Sequence, residues 1–241
     1  DFMDNKRINR TSNNYRLLVG DYIRANLKIS NKTKISFCES HHLAHAYTTF
    51  IPSPYEEAAI VIIDGLGSQQ QTHSIFKANR NNINLVATQK GNGIGELYSL
   101  VTQKLGFDHG EEGKTMGLAP YGENHHDQDK NLPNLRGEKL SYFCDYGRIL
   151  NRHPSPSLKI NLKTPKHKQD LYNPFYSRLA YNLQSECEEA VRYIIQQAIK
   201  ITGCQNICFA GGVALNCVAN ELISKDLKHN LFVQPASGDT G

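Results

Sequence analysis

The sequence has no CxxC pair, no apolar run near the length of a membrane span, and no apolar stretch behind its first residues. Each absence removes a class of protein. Six cysteines at 38, 144, 187, 204, 208 and 217 show no regular spacing, and a disulfide framework belongs to small secreted chains. Free thiols in a reducing, cytoplasmic setting are therefore expected. A spanning helix needs roughly 20 apolar residues, so no membrane partner is expected. Asp1-Phe-Met-Asp-Asn-Lys-Arg7 lacks the apolar core of a secretory leader. Charge of one sign is also scarce: 27 Lys and Arg face 23 Asp and Glu, for a net +4. The cations are spread among acids and form no stripe, which argues against nucleic acid as a partner.

What is present is a globular composition, 39% hydrophobic and 21% charged over 241 residues, long enough to bury a sizeable core. The chain starts at Asp1 and stops inside a glycine loop, Ser237-Gly-Asp-Thr-Gly241. Residues 1–241 therefore read as one partial domain, cut at both ends. Apolar spacing predicts an amphipathic helix over 13–27 and a short strand over 34–38. The strand runs into Ser40, a good N-cap for a helix beginning at His41. Ala58–Ile63 is a continuous apolar run, suited to a strand covered on both faces. Residues 72–77 and 83–89 read as a hairpin around Asn-Arg-Asn-Asn. Helices are expected over 97–105, 178–201 and 216–224, with strands over 206–210 and 231–234. Residues 123–173 are polar and aperiodic, and read as a variable insertion or lid. The recurrence of strand, glycine turn and helix argues an α/β fold with ligands at strand C-terminal ends.

Chemistry concentrates in four places. His41 and His45, four apart on a helix, project from one face about 5–6 Å apart at Cβ, a metal-ligand spacing. His42 stands where a zincin would carry Glu, so a metalloprotease is excluded. His42 itself turns off the shared face, as a solvent histidine or one behind the ligands. The pair alone is equally consistent with a polar helix surface. Asp64-Gly-Leu-Gly67 directly follows the buried strand, where glycine N–H groups close on an anion and Asp holds a metal, although Asp-Gly is also an ordinary turn. Gly211-Gly212 lie between a strand and a helix, as a nucleotide phosphate requires, and Asn216 either caps that helix or bonds the ligand. Asp239 sits in the last glycine loop. Two His and one carboxylate from separate elements form a facial triad suited to iron(II) and tolerable for zinc or manganese. The glycine-dense run over 110–122 offers Lys114 as a phosphate contact or as a plain exposed loop lysine, and it is not a P-loop.

Six segments in order, SHHLAHA, IDGLG, GELYSLVTQKLGF, EGKTMGLAPYG, FAGGVALNC and QPASGDTG, resemble the carbamoyltransferases of the nodulation and cephamycin type. The resemblance runs from Ser40 to Gly241 and is interrupted over 123–173. It implies a domain of the actin–hexokinase–Hsp70 (ribonuclease H-like) type, here incomplete. It implies that His41, His45 and Asp239 hold iron(II), with Asp64 at the same centre. Gly65 and Gly67 would accompany Asp64 on the nucleotide side, and Gly211, Gly212 and Asn216 would line an ATP-derived carbamoyl adenylate. That donor would be made from carbamoyl phosphate and ATP in a separate C-terminal domain, and its carbamoyl group would pass to the hydroxyl of a small-molecule acceptor. Glycine N–H groups would then steady charge on the departing phosphate. Two departures stand out: no glycine strand precedes Asp1, and Ser68 occupies a place where Glu is common. Alternatives remain. Threonylcarbamoyl transfer to tRNA would call for a basic surface, and a non-catalytic nucleotide-binding module of the actin type would not need the three ligands to converge.

Overall fold

The computed structural model describes residues 13–30, 32–38, 40–91, 93–123, 164–165, 170–171, 173–226 and 230–239. The expected insertion over 123–173 therefore lies almost wholly outside the described residues. Helix α1 spans Asn13–Leu27 and α2 spans His41–Phe50. Strand β1 (Glu57–Ile63) is followed by β2 (Gln71–Asn79) and β3 (Asn82–Lys90). Helices α3 (Ile94–Lys104), α4 (Glu112–Leu118) and α5 (Pro174–Thr202) precede β4 (Asn206–Ala210), α6 (Cys217–Asp226) and β5 (Asn230–Val233). The five strands form one sheet in the order β3-β2-β1-β4-β5. β1, β2 and β3 run antiparallel in turn, whereas β4 and β5 run parallel to β1. The fold is thus α/β with a mixed sheet, as the alternation of elements predicts.

The apolar run of β1 is buried on both faces. Ala59, Val61 and Ile63 point into the larger core cluster with α3 and α5, while Ala58, Ile60 and Ile62 point into a smaller one with Ala46 and Phe50 of α2. β4 repeats the division, Ile207 and Phe209 on one side and Cys208 and Ala210 on the other. A strand with a two-residue period and helices on both faces can carry no polar position until it ends. The first polar residue after β1 is Asp64, and the parallel β4 ends beside it at Gly211. The two turns share one edge of the sheet because the strands are parallel neighbours.

Several boundaries differ from expectation for local reasons. Residues 34–38 join no ladder among the described residues, and Ser36, Phe37 and Cys38 are exposed. α1 forms where the spacing predicts, yet its apolar positions Leu17, Tyr22 and Leu27 are exposed. α5 starts four residues early because Asn173 caps it, accepting from Phe175 N at 3.0 Å, with Pro174 in the first turn. It ends at Gly203, left-handed at φ 72°. The glycine-dense run over 110–122 holds α4 and then a tight 3-10 turn, Ala119–Gly122. Glycine content hid that helix: packing against α5 overrides the low propensity of Gly113 and Gly117. Lys114 is exposed as expected, but on a helix and not on a loop. The hairpin turn is held by Asn79, whose Oδ1 accepts from the N–H groups of Asn81 and Asn82 at 3.0 Å.

Candidate metal centre

Ser40 caps α2 as the sequence predicts, its Oγ accepting from Leu43 N at 3.3 Å. That cap fixes the first turn, and the rings of His41 and His45 leave it one helical turn apart on a single face. Their Nε2 atoms stand 3.1 Å from each other. Asp64, at the end of β1, brings Oδ2 to 2.8 Å from His41 Nε2 and 3.7 Å from His45 Nε2. Asp239 reaches in from the loop after β5, with Oδ1 3.2 Å from His41 Nε2 and 3.1 Å from His45 Nε2. One donor atom from each of the four residues lies within 4.8 Å of all the others. Helix α2, the turn after β1 and the loop after β5 therefore converge on one point.

The spacing suits a cation. Two ligand atoms about 2.1 Å from one ion stand about 3.0 Å apart at right angles and about 3.4 Å apart at the tetrahedral angle. The five separations, 2.8 to 3.7 Å, bracket those values. Two imidazole nitrogens and two carboxylate oxygens form a mixed nitrogen and oxygen set, the kind that holds iron(II), manganese or zinc. The residues present thus fit a divalent ion. Asp64 keeps its carboxyl ionised. Burial alone would raise it, but hydrogen bonds from His41, His45, Gly65 N and Gly212 N hold it far below the usual carboxylate range. The hydrogen bond to Asp64 pushes the His41 pKa upward, against burial. The centre opens on one side. The side chains of His45 and Asp64 are 8% and 12% exposed, against 68% for Asp239.

Asp64 also joins the two glycine turns. Its Oδ1 accepts from Gly65 N at 2.8 Å and from Gly212 N at 3.2 Å. Gly67 N donates to Gln71 O at 2.7 Å and Gly211 N to Ser237 O at 2.9 Å. These four N–H groups, expected to face an anion, instead fix the carboxylate and the flanking loops. A buried carboxylate without such donors would be desolvated and unpaired, which is why the protein supplies them. Gly211 has φ 94°, and a Cβ there would stand 2.3 Å from Ile63 O. Only glycine fits that approach of β4 to β1.

The remaining predicted residues lie apart from the cluster. Asn216 is buried and saturated: it exchanges two hydrogen bonds with Gln184 of α5, at 3.1 and 2.9 Å, and its Oδ1 caps α6 by accepting from Ala219 N at 3.1 Å. Lys114 pairs with Glu111, and its ammonium lies 5.9 Å above the Phe107 ring. His42 is fully buried, which excludes the solvent role and leaves the position behind the ligands. Gln184 went unnoticed in the sequence because one polar residue on a 29-residue helix carries no spacing signal.

The family model described as the carbamoyltransferase N-terminus matches residues 1–241. The chain belongs to this family. It is 33% identical over 213 residues to an uncharacterised protein of Synechocystis, covering 83% of this chain and 34% of that one. The nodulation protein NolNO of Sinorhizobium fredii is 32% identical over 215 residues, 87% of this chain and 30% of the relative. The nodulation protein NolO of Bradyrhizobium diazoefficiens is 30% identical over 208 residues, 84% and 36%. The chain thus spans about a third of the length of these relatives. Among the described residues no helix is long and apolar enough to cross a membrane. The five described cysteines, at 38, 187, 204, 208 and 217, are free.

Proposed function

We propose that this chain forms the metal- and donor-binding part of an O-carbamoyltransferase, which passes a carbamoyl group from carbamoyl adenylate to the hydroxyl of a small-molecule acceptor. The observation that carries the reading is the convergence of His41, His45, Asp64 and Asp239 in a chain of this family. A divalent ion held by these residues, iron(II) in our reading, would supply Lewis-acid chemistry toward an oxygen of the carbamoyl or phosphate group. The chain's own residues do the rest. His41, His45 and Asp239 would present three donors, of which those of His41 and Asp239 lie toward the open side. Asp64 turns Oδ2 toward the histidines while its Oδ1 holds both glycine turns in place. The exposed Asp239 carboxylate and half-buried His41 mark the side from which donor and acceptor approach. The sheet order, an antiparallel β3-β2-β1 followed by parallel β4 and β5, supports a domain of the actin–hexokinase–Hsp70 type. The free thiols of the five described cysteines support a reducing, cytoplasmic setting.

The reading is tested by a product assay with carbamoyl phosphate, ATP, a ferrous salt and a panel of hydroxylated acceptors. It is run on the 241-residue chain and on the full-length protein that carries this sequence, with metal content measured on both. We expect metal in both and carbamoylated product from the full-length protein alone, since donor synthesis is assigned to another domain. Undiminished product from a full-length protein with His45→Ala would sink the reading.

A further inference from the structure

Behind the four ligands lies a second set of contacts that joins α2 to the loop after β1. Ser68 Oγ accepts from the backbone N–H of His41 at 3.2 Å. Ser40 serves Leu43 at the same helix end, so two serines from different elements satisfy donors of the turn that presents His41. The next residue, His42, drives its ring the other way. Its Nδ1 lies 2.7 Å from Ser74 Oγ on β2, and Ser74 Oγ lies 2.9 Å from Thr88 Oγ1 on β3. The far side of the same ring abuts Gly67, where a Cβ would stand 2.8 Å from both Cδ2 and Nε2. His42 therefore touches the loop that carries Asp64 and the sheet behind it.

Two features of this contact are hard to explain by folding alone. His42 Nε2 is buried without a hydrogen-bond partner, a penalty that a leucine at this place would avoid. The loop that returns Ser68 to His41 also passes through Gln69 and Gln70 at φ 57° and 64°, a left-handed conformation that side chains other than Gly, Asn and Asp seldom adopt. Such strain persists where the surroundings over-determine it and clusters at functional sites. Here the strained turn and the orphaned ring both end on the two elements whose separation sets the distance from His41 and His45 to Asp64.

We propose that His42, anchored on Ser74, and Ser68 form a latch between α2 and the Asp64 loop, acting as positioning residues that hold the two histidines in register with Asp64 for a divalent cation. The proposal rests on the metal reading above. Ser68 closes directly on the helix end. Contacts of this kind behind metal ligands typically change affinity 10–100-fold when removed.

The test measures Mn²⁺ affinity by titration, the visible spectrum of the Co²⁺-loaded protein, and the melting temperature of the metal-free protein for Ser68→Ala, Ser68→Thr, Ser74→Ala and His42→Gln. We expect affinity to fall at least 10-fold in Ser68→Ala and Ser74→Ala, with an altered Co²⁺ spectrum and a melting temperature close to that of the parent. Ser68→Thr, which keeps the hydroxyl, should restore affinity. If His42→Gln does not fold, the two serine variants decide alone. Wild-type affinity and spectrum in both alanine variants would overturn the latch while leaving the metal reading intact. An affinity loss that Ser68→Thr fails to restore, or that only follows the melting temperature, would mark these contacts as structural. A parent protein that binds neither Mn²⁺ nor Co²⁺ overturns the metal reading itself.

Discussion

Two polar clusters lie close to the C-terminal edge of the sheet, and they differ in how completely they satisfy themselves. Around Gln184 every group has a partner. Tyr98 donates to Gln184 Oε1 at 2.9 Å, Asn216 exchanges two bonds with Gln184, and Gln184 Nε2 reaches Glu188 at 2.8 Å. Burial also holds the Tyr98 hydroxyl protonated by pushing its pKa upward. Around Asp64 two imidazole nitrogens and two carboxylate oxygens face one another at 2.8 to 3.7 Å. The two nitrogens and two carboxylate oxygens of that set have few protons to share, so the cluster has coordinating capacity left over. A saturated buried network fixes structure. An acceptor-rich one suits a cation.

The largest effect expected from this difference is on metal binding. His45→Ala removes one of four donors and should weaken Mn²⁺ binding by more than about 100-fold, beyond the range usual for contacts behind the ligands. The metal-free protein should melt near the parent temperature, because His41 and the N–H groups of Gly65 and Gly212 still hold the Asp64 carboxylate. Isothermal titration and a melting curve on the same sample check both halves. A fall in both would make the two clusters alike.

Gln184→Leu sharpens the contrast from the other side. The leucine leaves the Tyr98 hydroxyl and the Asn216 amide buried with too few partners, a loss of about 2–3 kcal/mol in unfolding free energy. Urea denaturation measures it. Mn²⁺ affinity should change by less than threefold, since none of the four ligands touches Gln184. Strong loss of affinity with unchanged stability would reverse the roles assigned to the two clusters.

Gly212→Val acts where the clusters meet, on the turn that runs from Asp64 toward Asn216. A Cβ at 212 would stand 3.1 Å from Asp64 Oδ1, and the added methyl groups crowd the carboxylate further. The shift should weaken the Gly212 N–H bond to Oδ1 and lower Mn²⁺ affinity about tenfold, with the fold intact by circular dichroism. Unfolding of this variant would show a purely structural glycine.

The sequence was legible where one residue type has one physical reason to be in place. Two histidines four apart, an Asp at the end of a doubly buried strand, and a glycine pair after a parallel neighbour each follow from period and burial. The convergence of His41, His45, Asp64 and Asp239 was anticipated on that basis together with the family resemblance. What could not be read depends on distant partners. Ser68 reaches His41 across 27 positions and Gln184 reaches Asn216 across 32. Segment 34–38, which joins no ladder among the described residues, and helix α4 depart from expectation for the same reason: propensity and spacing describe a segment, and packing decides what meets it.

The smallest expected effect concerns a histidine that belongs to neither cluster. His73 on β2 is fully buried, and burial lowers its pKa to about 3, with the nearby His42 adding in the same direction. A depressed histidine pKa means that the fold holds the neutral ring while the unfolded chain takes up a proton near the ordinary value of 6.5. Its contribution is therefore fully present above about pH 6.5, and it is lost progressively as pH falls toward 3. Between pH 6.5 and 5.5 this linkage amounts to about 1 kcal/mol for one such group. Urea denaturation of the metal-free protein at those two pH values, with a chelator present, should show stability falling with acidity. His73→Leu removes the ionisable ring without leaving a charge to bury, so its stability should fall by about 1 kcal/mol less over the same interval. Equal slopes for the parent and the variant would mean that His73 is protonated inside the fold, and that the polar belt beside β2 can hold a charge that burial alone would exclude.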